Sequence, residues 1–299
     1  MSVEARTVSL VLGSGGARGL AHIGVIRWLE ANGFEIRSVT GASMGALIGG
    51  VYAAGKLDEY VKWLSSVSKM DIFHLLDLSL SREGLVKGDR IIETLKSFIG
   101  EWQIEDFSIP FTAVATDIEE EKEVWINKGP LFDAIRASIS IPMFFTPYEL
   151  NGRLLIDGGV LNPVPIAPTF QDFTDLTIAV NLAGSEDPYL DLDAIEEEVP
   201  AEGETWHERI VDFIEGLYTS EPEKETVAWS VYDIVGKSID AMQGTIARQK
   251  LASYPPDIVV EIPRNACGML DFDLSDKMIA LGVQRAHEQL GHLVGMKNK

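Results

Sequence analysis

Residues 36–50 read Ile36-Arg37-Ser38-Val39-Thr40-Gly41-Ala42-Ser43-Met44-Gly45-Ala46-Leu47-Ile48-Gly49-Gly50. Ile36–Thr40 has the make-up of a short buried strand, and an apolar helical run begins at Met44. Between them Gly41, Ser43 and Gly45 satisfy G-x-S-x-G in the strand–turn–helix setting that the motif requires. A serine in so tight a turn crowds its flanking positions, and only hydrogen side chains fit at 41 and 45. Its hydroxyl then stands at the carboxyl edge of a sheet, beside a helix amino terminus whose partial positive charge favours an oxyanion. A close-packed βα unit uses glycine in the same way, so this stretch needs support from elsewhere in the chain.

Working outward, Thr7–Leu12 is an apolar run ending in glycines, as a buried parallel strand does. Leu20, Ile23, Ile26 and Leu29 then recur at helical spacing until Gly33, which caps the helix. Strand, glycine turn, helix, twice over, predicts a parallel sheet covered on both faces. Further strands are expected at Phe111–Thr116, Lys122–Ile126, Leu154–Ile156, Leu176–Asn181 and Asp257–Ile262. Helices are expected at Asp58–Ser66, Asp89–Ile99, Leu131–Ser138 and Leu274–Val294. Trp206–Leu217 and Val227–Ile246 read as amphipathic helices, the second ended by Tyr254-Pro255-Pro256.

The glycine cluster Gly13-Ser14-Gly15-Gly16-Ala17-Arg18-Gly19 follows the first strand. A dinucleotide fingerprint needs glycine at position 18, where Arg18 stands, and Gly19 comes one step late. The other reading is an oxyanion hole, since successive glycines let bare backbone N–H groups approach a developing alkoxide. A nucleophilic serine also needs a base. Asp157, at the end of the apolar strand in Asn151–Gly159 and followed by Gly158 and Gly159, reaches the same rim as Ser43 if both strands run parallel in one sheet. Taken alone, Asp-Gly is an ordinary turn. Of the histidines, His22 follows the first glycine cluster but is out of order for a Ser–acid–His triad, and packing or a hydrogen bond within its own helix is expected of it.

Taken in order, the glycine cluster with Arg18, the Ser43 elbow, Asp157-Gly158-Gly159 and the stretches Arg136–Pro142 and Asn162–Pro165 resemble the patatin-like phospholipase family, from about Val8 to about Leu182. The resemblance implies a three-layer α/β/α fold with a mainly parallel central sheet. It also implies a Ser43–Asp157 catalytic dyad and an oxyanion hole from Gly15 and Gly16 aided by Arg18, with Gly41 and Gly45 as the elbow glycines. The expected substrate is a phospholipid or related acyl ester, hydrolysed without metal or cofactor. The alternative is a regulatory protein that holds a lipid or anion on the same scaffold without turnover. Ser14 departs from the family pattern, in which glycine is usual, and its N–H is then a further candidate donor to the hole.

The whole is read as one domain, with a core at 7–182 and 257–295 and an acidic helical insertion, C-terminal in the chain, at about 186–252. Residues 186–225 carry fifteen acids and two bases, a net −13 of the chain's −21. Such acidity excludes nucleic acid as a partner and strong standing attraction to anionic membranes, leaving transient membrane contact. The apolar stretch Asp71–Leu80, with Ile72, Phe73, Leu75, Leu76 and Leu78, is a candidate lid or acyl-chain wall. A lone cysteine, Cys267, and the absence of a signal-like amino terminus point to the cytoplasm. Nothing in the sequence indicates an oligomeric state.

Overall fold

The computed structural model describes residues 6–66, 88–195 and 231–294, with side chains from 234 onward in the last segment. The candidate wall at Asp71–Leu80 and the helix expected at Trp206–Leu217 lie outside these residues. β1 (Arg6–Leu12), β2 (Phe34–Ala42), β3 (Phe111–Asp117), β7 (Leu176–Gly184) and β8 (Ile258–Pro263) form a parallel sheet in the order β3-β2-β1-β7-β8. Beside β3 it gains three strands, β4 (Lys122–Ile126), β5 (Tyr148–Leu150) and β6 (Arg153–Asp157), all joined by antiparallel pairings.

Alternation along the strands sets the layers. Leu10 and Leu12 of β1 and Ile178 and Val180 of β7 join the large core with α1 (Ala21–Ala31), α2 (Met44–Ala53) and α7 (Ser275–Leu290). Val11 and Ala179 point the other way, into a smaller cluster with Val164, Ile166 and Ala247 of α6 (Val231–Ser253). The fold is therefore three-layer α/β/α, as the order of motifs implied. The remaining α-helices among the described residues are α3 (Leu57–Leu64), α4 (Asp89–Ile99) and α5 (Leu131–Ser138), each within a few residues of its expected span.

One expectation is corrected. The strand bearing Asp157 is not parallel to β2, because Asn151 and Gly152, both at positive φ, close a two-residue hairpin that returns β6 antiparallel to β5. Asp157 nevertheless reaches the rim beside Ser43, and the registers show how. β4 occupies one edge of β3 along Ala113–Asp117. The opposite edge is shared: β2 pairs Val39–Ala42 with Phe111–Val114, and β6 pairs Leu155–Asp157 with Asp117–Ala115. β2 and β6 thus run toward each other along one edge and meet head on. Ala42 lies opposite Val114 and Asp157 opposite Ala115, which places Ser43, one residue past Ala42, against the carboxyl group.

Candidate active site

Ser43 occupies the elbow with φ 55° and ψ −124°, a conformation that costs a non-glycine residue about 1–3 kcal/mol. The surroundings impose it. A Cβ on Gly45 would overlap the Leu12 carbonyl, and one on Gly41 would overlap the Gly45 backbone, so strand and helix close to contact around the serine. The Ser43 N–H donates to Ser138 Oγ at 2.9 Å, and that hydroxyl donates to the Val114 carbonyl at 2.6 Å. Ser138 is fully buried and so ties the elbow to β3.

Asp157 is 1% exposed and Ser43 2%. The carboxyl Oδ1 accepts the Gly159 N–H at 2.7 Å, whereas Oδ2 is buried without a well-formed hydrogen bond. Burial pushes the Asp157 pKa up to about 7, against the opposing pull of the nearby Ser43 hydroxyl and of the Gly159 N–H. The Ser43 hydroxyl thus lies near the carboxyl without a well-formed hydrogen bond to Oδ2. The Asp157 N–H donates to the Ser140 carbonyl at 3.0 Å. One short segment, Ser138–Ser140, therefore anchors the backbone of both Ser43 and Asp157. Sequence reasoning placed this segment in the family resemblance but gave it no task, because its partners are distant in the chain.

The glycine loop lies beside the same rim. The N–H groups of Gly13, Ser14 and Ala17 are committed to the carbonyls of Val180, Pro163 and Met269 at 3.1, 2.8 and 2.9 Å. Among the described residues, this leaves Gly15 and Gly16 as the loop amides without a partner, and Gly16, at φ 58°, lines the cavity that also exposes Ser43. Ser14 keeps its N–H for Pro163 and so does not supply the further donor expected of it. Arg18 does not point its guanidinium at the serine. It is 5% exposed, and it donates to the carbonyls of Gly15 and Arg264 at 3.2 and 2.8 Å and to Asp240 Oδ1 at 2.7 Å.

His22 is fully buried, its Nε2 2.9 Å from the Gly13 carbonyl, and burial brings its pKa down to about 4. The ring is therefore neutral at pH 7 and supports the glycine loop, rather than bonding within its own helix. His22→Gln, which keeps a donor near Gly13, is expected to leave kcat within about threefold of wild type. A hundredfold loss measured with a short-chain ester would restore an imidazole base.

The cavity over Ser43 is apolar, walled by Leu47, Tyr60, Trp63, Leu95, Ile139 and Phe145. Its walls come from α2, α3, α4, the segment after α5 and the stretch Met269–Phe272 before α7. The spacing Tyr60, Trp63, Leu64 on α3 is the signal that could have identified this wall from sequence. Among the described residues no group of three or more His, Cys, Asp or Glu is arranged to hold a metal ion, and no helix is long and apolar enough to cross a membrane.

The profile of the patatin-like phospholipase family matches residues 10–170. An uncharacterised NTE family protein of Mycobacterium tuberculosis strain H37Rv is 38% identical over 95% of this chain and 91% of its own length. The lysophospholipase NTE1 of Kluyveromyces lactis is 30% identical over 62% of this chain but only 13% of that much longer protein. Among solved structures, VipD from Legionella pneumophila covers 97% of this chain and 67% of that one, with 15% identity and a TM-score of 0.48. The family match and the buried serine elbow on a three-layer α/β/α scaffold make this a lipid-ester hydrolase. The chain belongs to the patatin-like phospholipase family.

Proposed function

We propose that the protein hydrolyses carboxylic esters of phospholipids or lysophospholipids through a Ser43–Asp157 dyad, with the acyl chain in the apolar cavity. Ser43 Oγ attacks the ester carbonyl while the free oxygen of the carboxylate, Asp157 Oδ2, takes the hydroxyl proton. The N–H groups of Gly15 and Gly16 receive the tetrahedral oxyanion. Collapse expels the alcohol or lysophospholipid, to which Asp157 returns the proton, and leaves an acyl-serine. Asp157 then deprotonates a water that attacks the acyl-serine, releasing the fatty acid and restoring Ser43.

The observation that carries this reading is the buried carboxyl of Asp157 beside the serine, with one oxygen left free. A carboxylate at the ordinary value near 3.8 is a poor match for a serine proton. Raising it to about 7 brings the base close to neutral operating pH.

The sign of the pH dependence follows. The base works only when ionised, so kcat/KM is expected to fall as pH drops through about 7, with activity retained above that value. His22, held near 4, lies too low to produce this limb. The test is a pH profile of kcat/KM on a short-chain aryl ester. A profile flat from pH 5 to 9 would contradict Asp157 as the base.

A further inference from the structure

We infer that α6 is a positioning element of this site, Asp240 fixing the glycine loop through Arg18, and Lys250 fixing the turn behind Asp157 through Glu123 and Asn162. The inference rests on the Ser43–Asp157 reading and adds the residues that hold its two halves in place.

The first arm begins at Asp240, whose carboxylate accepts from Arg18 Nη2 at 2.7 Å. The other two bonds of the guanidinium go to neutral carbonyls, Gly15 and Arg264. Asp240 is thus the carboxylate paired with this buried cation, and losing it would strand the charge. The bond to Gly15 O matters because C=O and N–H point in opposite directions across a trans peptide. Holding the Gly15 carbonyl on Arg18 aims the N–H of the same peptide unit, that of Gly16, away from Arg18.

The second arm uses the same device. Lys250 pairs with Glu123 Oε1 from β4, and Glu123 Oε2 accepts the Asn162 side-chain amide at 2.9 Å. The backbone N–H of Asn162 donates to the Gly158 carbonyl at 2.9 Å. The other end of that peptide unit is the Gly159 N–H, which donates to Asp157 Oδ1. Lys250 therefore reaches the catalytic carboxyl through one rigid peptide plane, as Asp240 reaches the proposed oxyanion donor through another.

Spacing on α6 fits the assignment. Asp240, Gln243, Ala247 and Lys250 recur at intervals of three and four, which is one stripe of a helix. Ala247 is fully buried against the sheet, and the Gln243 amide lies so close to Gly159 that a Cβ there would strike it. One face of a single helix thus spans from the glycine loop to the Asp157 turn.

The test uses the full chain, a p-nitrophenyl butyrate assay and a trifluoromethyl ketone as transition-state analogue. Asp240→Asn is expected to lower kcat about tenfold, to weaken the analogue in proportion and to leave KM within twofold, because only transition-state contacts are misaligned. Asp240→Glu should recover most of the loss. Lys250→Met should also lower kcat, with Lys250→Arg restoring it. Asn is nearly isosteric with Asp240, so this variant removes charge and not bulk, and a thermal melt run alongside separates the stability lost with the ion pair from rate. If Asp240→Asn and Lys250→Met retain kcat and analogue affinity within twofold, whatever their Tm, α6 does not position the site. Wild-type protein that neither turns over the ester nor labels with a fluorophosphonate would instead sink the Ser43–Asp157 reading, and this inference with it.

Discussion

Ser43→Ala is expected to lower kcat for ester hydrolysis by about ten-thousand-fold and to abolish labelling by a fluorophosphonate. Removing the hydroxyl eliminates the acyl-enzyme route altogether, and what remains is the modest catalysis of the oxyanion donors and of substrate binding. The change should not disturb the fold. Alanine bears the same positive φ as serine, the Ser43 N–H keeps its bond to Ser138, and the glycines that close the elbow are untouched. A melting temperature within a few degrees of wild type is therefore expected, so lost activity reports chemistry and not unfolding. Retention of more than a tenth of wild-type turnover by purified Ser43→Ala, or covalent labelling of wild type at a different serine, would move the reaction elsewhere on the protein.

What the sequence disclosed about this site follows from how local each signal is. The elbow is legible because strand, turn and helix are consecutive in the chain, and the crowding that demands Gly41 comes from Gly45 in the same turn, although the Leu12 carbonyl that demands Gly45 belongs to β1. The layers are legible because β1 and β7 alternate apolar side chains between two helical faces, and that period is written in consecutive residues. The direction of β6 was also written, in Asn151-Gly152, a hairpin dipeptide that a search for parallel strands passes over. Its consequence was not: no pattern in 153–157 says that β6 will take the half of the β3 edge that β2 leaves free. The tasks of Ser138, Ser140 and Asp240 were invisible for the same reason. A serine or aspartate looks the same in sequence whether it meets water, a backbone amide or the guanidinium of a residue far along the chain, and only the assembled chain tells them apart. Arg18 shows the limit from the other side. It stands within the right motif, yet its guanidinium serves the loop's backbone and a distant helix, away from the serine.

Asp157→Asn is expected to stabilise the protein at alkaline pH while removing turnover. The folded-state pKa of Asp157 lies near 7 and its unfolded value near 3.8, so the native state holds this proton more tightly than the unfolded chain. The contribution is favourable and complete below about pH 4, and it is lost as pH rises through 7, where the buried group must ionise or the chain must unfold. At pH 9 the deficit is about 2–4 kcal/mol, taking roughly 1.4 kcal/mol per pKa unit as an upper bound. Asparagine carries no charge to bury, and its side-chain oxygen can still accept the Gly159 N–H. The variant should therefore melt roughly 5–10 °C above wild type at pH 9 and close to it at pH 5. This pH-dependent gap is the signature of a carboxyl kept buried for its basicity at the expense of stability. Equal melting curves at pH 9 would mean that water or a neighbouring group already satisfies the charge, and the free Oδ2 would no longer account for a raised pKa. A variant less stable at every pH would show instead that the carboxylate is a structural hydrogen-bonding group, leaving Ser43 to find its base elsewhere.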